Sequence, residues 1–323
     1  MRTLVLLLAL FLTVKAAFAQ DAAPAPVAMP AGASRIHFDE STQRLYVAAD
    51  DAIFIYDKDI QSVATVAVAK AADVVLALPL RRGYALDAAQ DAVVVFDPAR
   101  AKIITRMPLS LEAPTVMALE PRTTQLAVFG KEKTVLLDVA GDSDPVTLDF
   151  GGVSGAVSDG SGALFAVNGD NEVAVIDAKK GRIAHWALPP SCGGAQALAL
   201  DDRGRHLFVA CKKPLLVSLD SEYGRAETVL DLAVPATALA YEAPAATEAA
   251  GKLFALGGGI VSAVGAKPDG GNSLQVFGVT PVPAEASALA LDQQGHRLFT
   301  LIPDPAAPGM PALEILSDNA EGK

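Results

Sequence analysis

The chain has 323 residues, 51% of them hydrophobic, a net charge of −11 and two cysteines. That length suffices for one large domain or two ordinary ones. The acidic balance disfavours nucleic acid, because no basic stripe interleaved with aromatics offsets it. After the first 20 residues no stretch approaches the roughly 20 apolar residues of a membrane helix.

Met1–Ala19 reads as a signal peptide. Arg2 supplies the positive start, Leu4–Val14 an apolar run too short to span a bilayer, and Ala17-Phe18-Ala19 a small-x-small cleavage site. The mature protein is therefore expected in the periplasm or outside the cell, cut after Ala19, with no membrane span. Loss of Arg2 and Lys15 leaves 24 basic against 37 acidic residues, a net charge of −13. Residues 20–33, rich in Ala and Pro, read as an extended arm.

From Ser34 onward the chain repeats. A first strand carries an apolar-x-apolar triplet in Ile36-His37-Phe38, Leu76-Ala77-Leu78, Met117-Ala118-Leu119, Ala156-Val157-Ser158, Leu198-Ala199-Leu200, Leu239-Ala240-Tyr241 and Leu289-Ala290-Leu291. The spacings between successive copies are 40, 41, 39, 42, 41 and 50 residues. A second strand follows each triplet. A third closes on Asp57, Asp97, Asp138, Asp177 and Asp220, and more loosely on Gly278 and Ser317. A fourth follows most of these. Four short strands per unit of about 40 residues is the signature of a propeller blade. The expected fold is an all-β, seven-bladed β-propeller with four-stranded antiparallel blades over residues 34–318, followed by a short tail, 319–323. The seventh copy lacks chain for its outer strand, so the N-terminal arm is expected to pair into it and close the ring. Closure would remove an exposed edge.

The best-preserved unit is Leu164–Asp177, LFAVNGDNEVAVID, a hairpin turning at Asn168-Gly169-Asp170-Asn171. With the following AKKGRI it resembles the hallmark of YVTN-type repeats. SCGGAQALALDDRGRHLFVACKK is similar to a segment of YncE-like periplasmic propellers. The resemblance covers roughly Ser34 to Asp318 and implies a scaffold fold with many uses. The copies after Asp220 depart from it.

Cys192 and Cys211, an even count in an exported chain, read as a disulfide. A metal site or a reactive thiol are the alternatives, but there is no C-x-x-C and no nearby His at ligand spacing.

Propellers bind at one rim and at the channel mouth. The rim formed by the second-to-third-strand turns and the blade links would carry Asp50, Asp87, Asp91, Asn168, Asp170, Lys212, Gly257, Gly271 and Asp304. His37, which replaces a small residue at the centre of the first triplet, would line the channel. Two turns read as oversized, Gly257–Gly271 in blade six and Ile302–Pro311 in blade seven, and they form the preferred candidate site. No G-x-S-x-G, H-E-x-x-H or dinucleotide fingerprint occurs, and Trp186 stands alone where quinone propellers repeat tryptophan. The expectation is a monomeric, non-catalytic binding scaffold with no resident cofactor and an unidentified protein or small-molecule partner. Two other readings are a hydrolase or lactonase, with a divalent cation held by Asp50, Asp87 and Asp170, and an accessory subunit of a periplasmic dehydrogenase. Recurring acids of this kind are, however, mostly turn formers.

Overall fold

The computed structural model describes residues 25–141, 143–244, 250–267 and 273–317. The signal segment, Gln20–Pro24 of the arm, Gly271 and the tail lie outside the described residues. Seven four-stranded antiparallel sheets follow one another, and in six of them the strands lie in chain order. The first strands are Arg35–Asp39, Ala71–Ala77, Val116–Glu120, Gly155–Ser158, Ala195–Asp201, Ala238–Glu242 and Ser287–Asp292. Each touches the first strand of the blade before and after it, and the seventh touches the first, so the ring is closed around a channel. Among the described residues no helix is long and apolar enough to cross a membrane.

The seventh sheet takes its outer strand from the N-terminal arm. Val27 pairs with Leu313 and Ala28 with Ala312, and the Met29 N–H donates to Pro311 O at 2.9 Å. Met29 is 3% exposed and packs with Phe38, Leu45, Phe299 and Leu313 between blades seven and one. Because side chains alternate across a strand, every blade offers one apolar set to each neighbour. The apolar clusters accordingly lie between consecutive blades, one per interface around the ring. Ala77, Ala118, Ala199 and Ala290, the small central residues of the first triplets, are buried in these interfaces, where adjacent first strands approach most closely.

The disulfide joins Cys192, in the link entering blade five, to Cys211, the last residue of that blade's second strand, with Cα atoms 4.9 Å apart. Both cysteines are fully buried.

Blade six corrects the expected strand positions. Gly257–Gly271 is not one long turn. Lys252–Gly257 turns back at once through Gly258 and Gly259, both at positive φ (52° and 83°), and Gly257 pairs with Ile260. Two consecutive left-handed residues form the tight turn that matches strand twist, and glycine adopts them without steric cost. The apolar middle IVSAV is then the third strand, Ile260–Ala266, with Val261 and Ala263 buried against blade seven and Val264 against blade five. Gly278 falls in the fourth strand, Leu274–Pro281, rather than closing the third. In blade seven the turn spans residues 304–310, close to the expected length.

Candidate functional site

The second-to-third-strand turns and the blade links share one face, here the link face. Backbone hydrogen bonds tie turn to link, as from Ala88 N to Lys70 O (2.9 Å), Lys131 N to Glu112 O (2.9 Å) and Ala195 N to Asp170 O (2.8 Å). The first-to-second and third-to-fourth turns form the opposite face.

Most predicted rim residues do lie on the link face, but several are structural. Asp87 is fully buried. It accepts hydrogen bonds from Ala89 N and Gln90 N (both 3.2 Å) and pairs with Arg106 at 3.1 Å, so it is unavailable to a ligand. Asn168 Oδ1 accepts from Asp170 N (3.2 Å) while Gly169 holds φ 91°, which is turn chemistry. Lys212 Nζ donates to Gly169 O (2.7 Å), and Asp304 Oδ1 accepts from Ala306 N (2.8 Å). Gly257 is packed against Pro235 O, where a Cβ would come within 2.0 Å. By contrast, Asp50, Asp51, Asp91, Asp170 and Glu285 are exposed, and their carboxylates have no partner among the described residues.

The opposite face uses its acids differently. The aspartates that close the third strands each accept the N–H two or three residues on: Asp57 from Asp59 (2.9 Å), Asp97 from Ala99 (2.9 Å), Asp138 from Ala140 (3.0 Å), Asp177 from Lys180 (2.9 Å) and Asp220 from Glu222 (2.8 Å). Acids ending first strands do the same, with Asp39 accepting from Thr42 (3.0 Å), Asp201 from Gly204 (2.9 Å) and Asp292 from Gly295 (2.8 Å). On the link face Asp87 and Asp304 serve turns in the same way, whereas Asp50, Asp51, Asp91, Asp170 and Glu285 do not. Asp50, Asp87 and Asp170 sit on three separate blades, and among the described residues no group of three or more His, Cys, Asp or Glu is placed to hold a metal ion. His185, His206 and His296 each meet a glutamate, Glu172 (2.7 Å), Glu227 (2.8 Å) and Glu242 (3.2 Å).

The channel, about 430 Å³, is lined by Arg35, His37, Asp73, Ser154 and Thr237 among mostly apolar neighbours. His37 is exposed on this lining, and burial within the ring lowers its pKa, opposed by Asp39. The residue the sequence reading missed is Asp73. A bulge between Ala71 and Asp73 re-aims the strand there. Asp73 accepts hydrogen bonds from Met117 N (2.7 Å) and Val74 N (2.9 Å). Burial nonetheless pushes its carboxyl up to about 6, outweighing those donors and Arg35. The available signal was a single carboxylate inside the apolar run AADVVLALPL.

No protein-family model matches the chain. No curated protein matches it either. Its shape is that of WD40-type propellers. A chain in the crystal structure of the mitotic checkpoint complex superposes with TM-score 0.74 at 14% identity, covering 98% of each chain. The WD40 repeats of RRP9 give 0.72 at 12% identity, covering 91% of this chain and 99% of that one. The β-propeller domain of Cps50 (Swd1) from Myceliophteria thermophila gives 0.70 at 13%, covering 90% and 98%. At these identities the likeness is one of fold.

Proposed function

We propose that this protein is an exported, non-catalytic binding propeller of the YVTN kind that docks a basic protein surface on its link face. The observation that carries the reading is the set of exposed, unpaired carboxylates of Asp50, Asp51, Asp91 and Glu285 on blades one and two and the link into blade seven. These blades are contiguous around the ring, and Lys70 is the lysine that interrupts them. Elsewhere on the face Lys131 and Lys133 of blade three pair with Glu112 (3.1 Å) and Asp149 (3.8 Å), and Lys212 of blade five donates to Gly169 O (2.7 Å), so those lysines do not neutralise the cluster. Such a surface steers a partner of opposite charge and sets its orientation. The hydrolase and dehydrogenase-subunit readings have no comparable cluster behind them.

The test is retention of periplasmic proteins on the immobilised mature chain against a D50K/D51K/D91K variant. The expected result is a partner held by the first, lost by the second, and released from the first at about 0.5 M salt, where exposed charges are screened. Equal retention by both would sink the reading. Export is tested separately, by N-terminal sequencing of the periplasmic fraction, which should begin at Gln20.

A further inference from the structure

Blade six leaves the repeat pattern in a second way, on the opposite face. Between it and blade five lies a groove of about 690 Å³, within the range of small-molecule sites. Its floor is apolar and aromatic, with Phe208, Leu253 and Val264 at 5%, 2% and 1% exposure. Phe208 stacks on Tyr241 with ring centroids 5.6 Å apart, which fixes a flat wall. Gly251 keeps that wall in place, since a Cβ there would lie 2.3 Å from the Tyr241 hydroxyl.

Three further polar side chains line the groove. Ser218 is 3% exposed and lines the groove, yet its hydroxyl has no hydrogen-bond partner among the described residues. Arg203, from the blade-five turn, and Lys267, following the blade-six third strand, are exposed on the lining, and their side-chain cations are unpaired among the described residues. Asp201 also lines the groove, where it accepts from Gly204 N at 2.9 Å, and His206 on the same lining is paired with Glu227 at 2.8 Å.

We propose that the groove between blades five and six is a binding site for a small organic anion with an aromatic body. The body lies on Phe208, Leu253 and Val264 against the Tyr241 wall. The anionic group meets Arg203 and Lys267, and Ser218 offers a hydrogen bond to a polar substituent. The site is on the face away from the proposed protein-docking surface, so either can fail without the other.

The experiment uses the mature protein with anilinonaphthalene sulfonate, an aromatic anion, and phenylnaphthylamine, its uncharged parent, followed by fluorescence titration. Wild type is expected to bind the anion saturably at one site per chain. Arg203→Ala with Lys267→Ala should weaken the anion about tenfold while leaving the uncharged probe within about twofold. Both substituted residues are exposed, and an unchanged melting temperature confirms that the variant folds. Absence of saturable binding to wild type, or equal anion affinity for the double variant, overturns the proposal. So does an equal loss for both probes.

Discussion

The Asp73 carboxylate accepts a 2.7 Å hydrogen bond from the backbone N–H of Met117, 44 residues further along, joining the first strands of blades two and three beside the channel. The interaction is local in the ring and remote in the chain. It combines a satisfied acceptor with a charge held in a poor environment, which gives it a measurable signature.

Asp73 titrates near 6 in the folded chain and near 3.8 when unfolded. The folded state thus holds a proton that the unfolded chain releases, so the stabilisation is full below about pH 4 and is lost as pH rises to about 6. Two units correspond to about 3 kcal/mol at most. Asp73→Asn should remove this slope, and urea melts should show the variant gaining on wild type between pH 4 and 6, with a constant difference above. Parallel curves would refute it. His37 acts in the opposite sense. Its lowered pKa makes the fold favour the neutral ring, so stability is lost as pH falls below about 6.5, and His37→Asn should remove that loss.

Removing residues 20–33 should destabilise the ring as a whole. It strips Met29 from the blade seven–one interface and exposes the edge of Pro311–Ser317. Met29→Ala alone should cost about 2 kcal/mol or more by the emptied space. A truncated chain that melts like the intact mature protein, and stays monomeric in size-exclusion chromatography, would contradict the closure role.

Cys192 and Cys211 close a segment of 19 residues. Replacing both by serine should lower stability by about 3 kcal/mol in the chain-entropy account. Thiol titration of the exported protein in denaturant should find no free thiol.

Arg106 is the cation against fully buried Asp87, and the pair joins the fourth strand of blade two to its own turn. Arg106→Ala leaves a buried carboxylate with backbone donors alone, and should cost about 1–3 kcal/mol. Arg100→Ala serves as the control. Its partner Asp97 is a turn acid on an exposed, solvent-screened pair, so the loss should be much smaller than for Arg106→Ala. Equal losses would mean that burial does not govern these pairs.

Tyr84 has 1% exposure, and its hydroxyl has no hydrogen-bond partner among the described residues. Tyr84→Phe should therefore leave stability unchanged or raise it by about 1 kcal/mol. A clear loss in chemical denaturation would show that the hydroxyl is satisfied in solution.

What the sequence alone determined is the repeat. A two-residue alternation and polar turn residues at a spacing of about 40 are local properties, so seven blades, the strand order within them and the closing arm were all readable before any coordinates. Asp57, Asp97 and their equivalents were readable as the ends of third strands for the same reason. Tertiary structure alone decided which charges are spent and which are free. Asp87 and Asp91 are four residues apart, yet one is buried beside Arg106 and the other projects unpaired from the link face. The same holds for Asp73, whose environment is made by Met117 and Arg35 from neighbouring blades, and for the groove where Phe208 meets Tyr241. Blade six failed as a local reading because IVSAV is equally a loop's apolar middle and a buried strand until Val261 meets blade seven. Contacts between blades join residues 40 or more apart, and a one-dimensional pattern carries no distance across that gap.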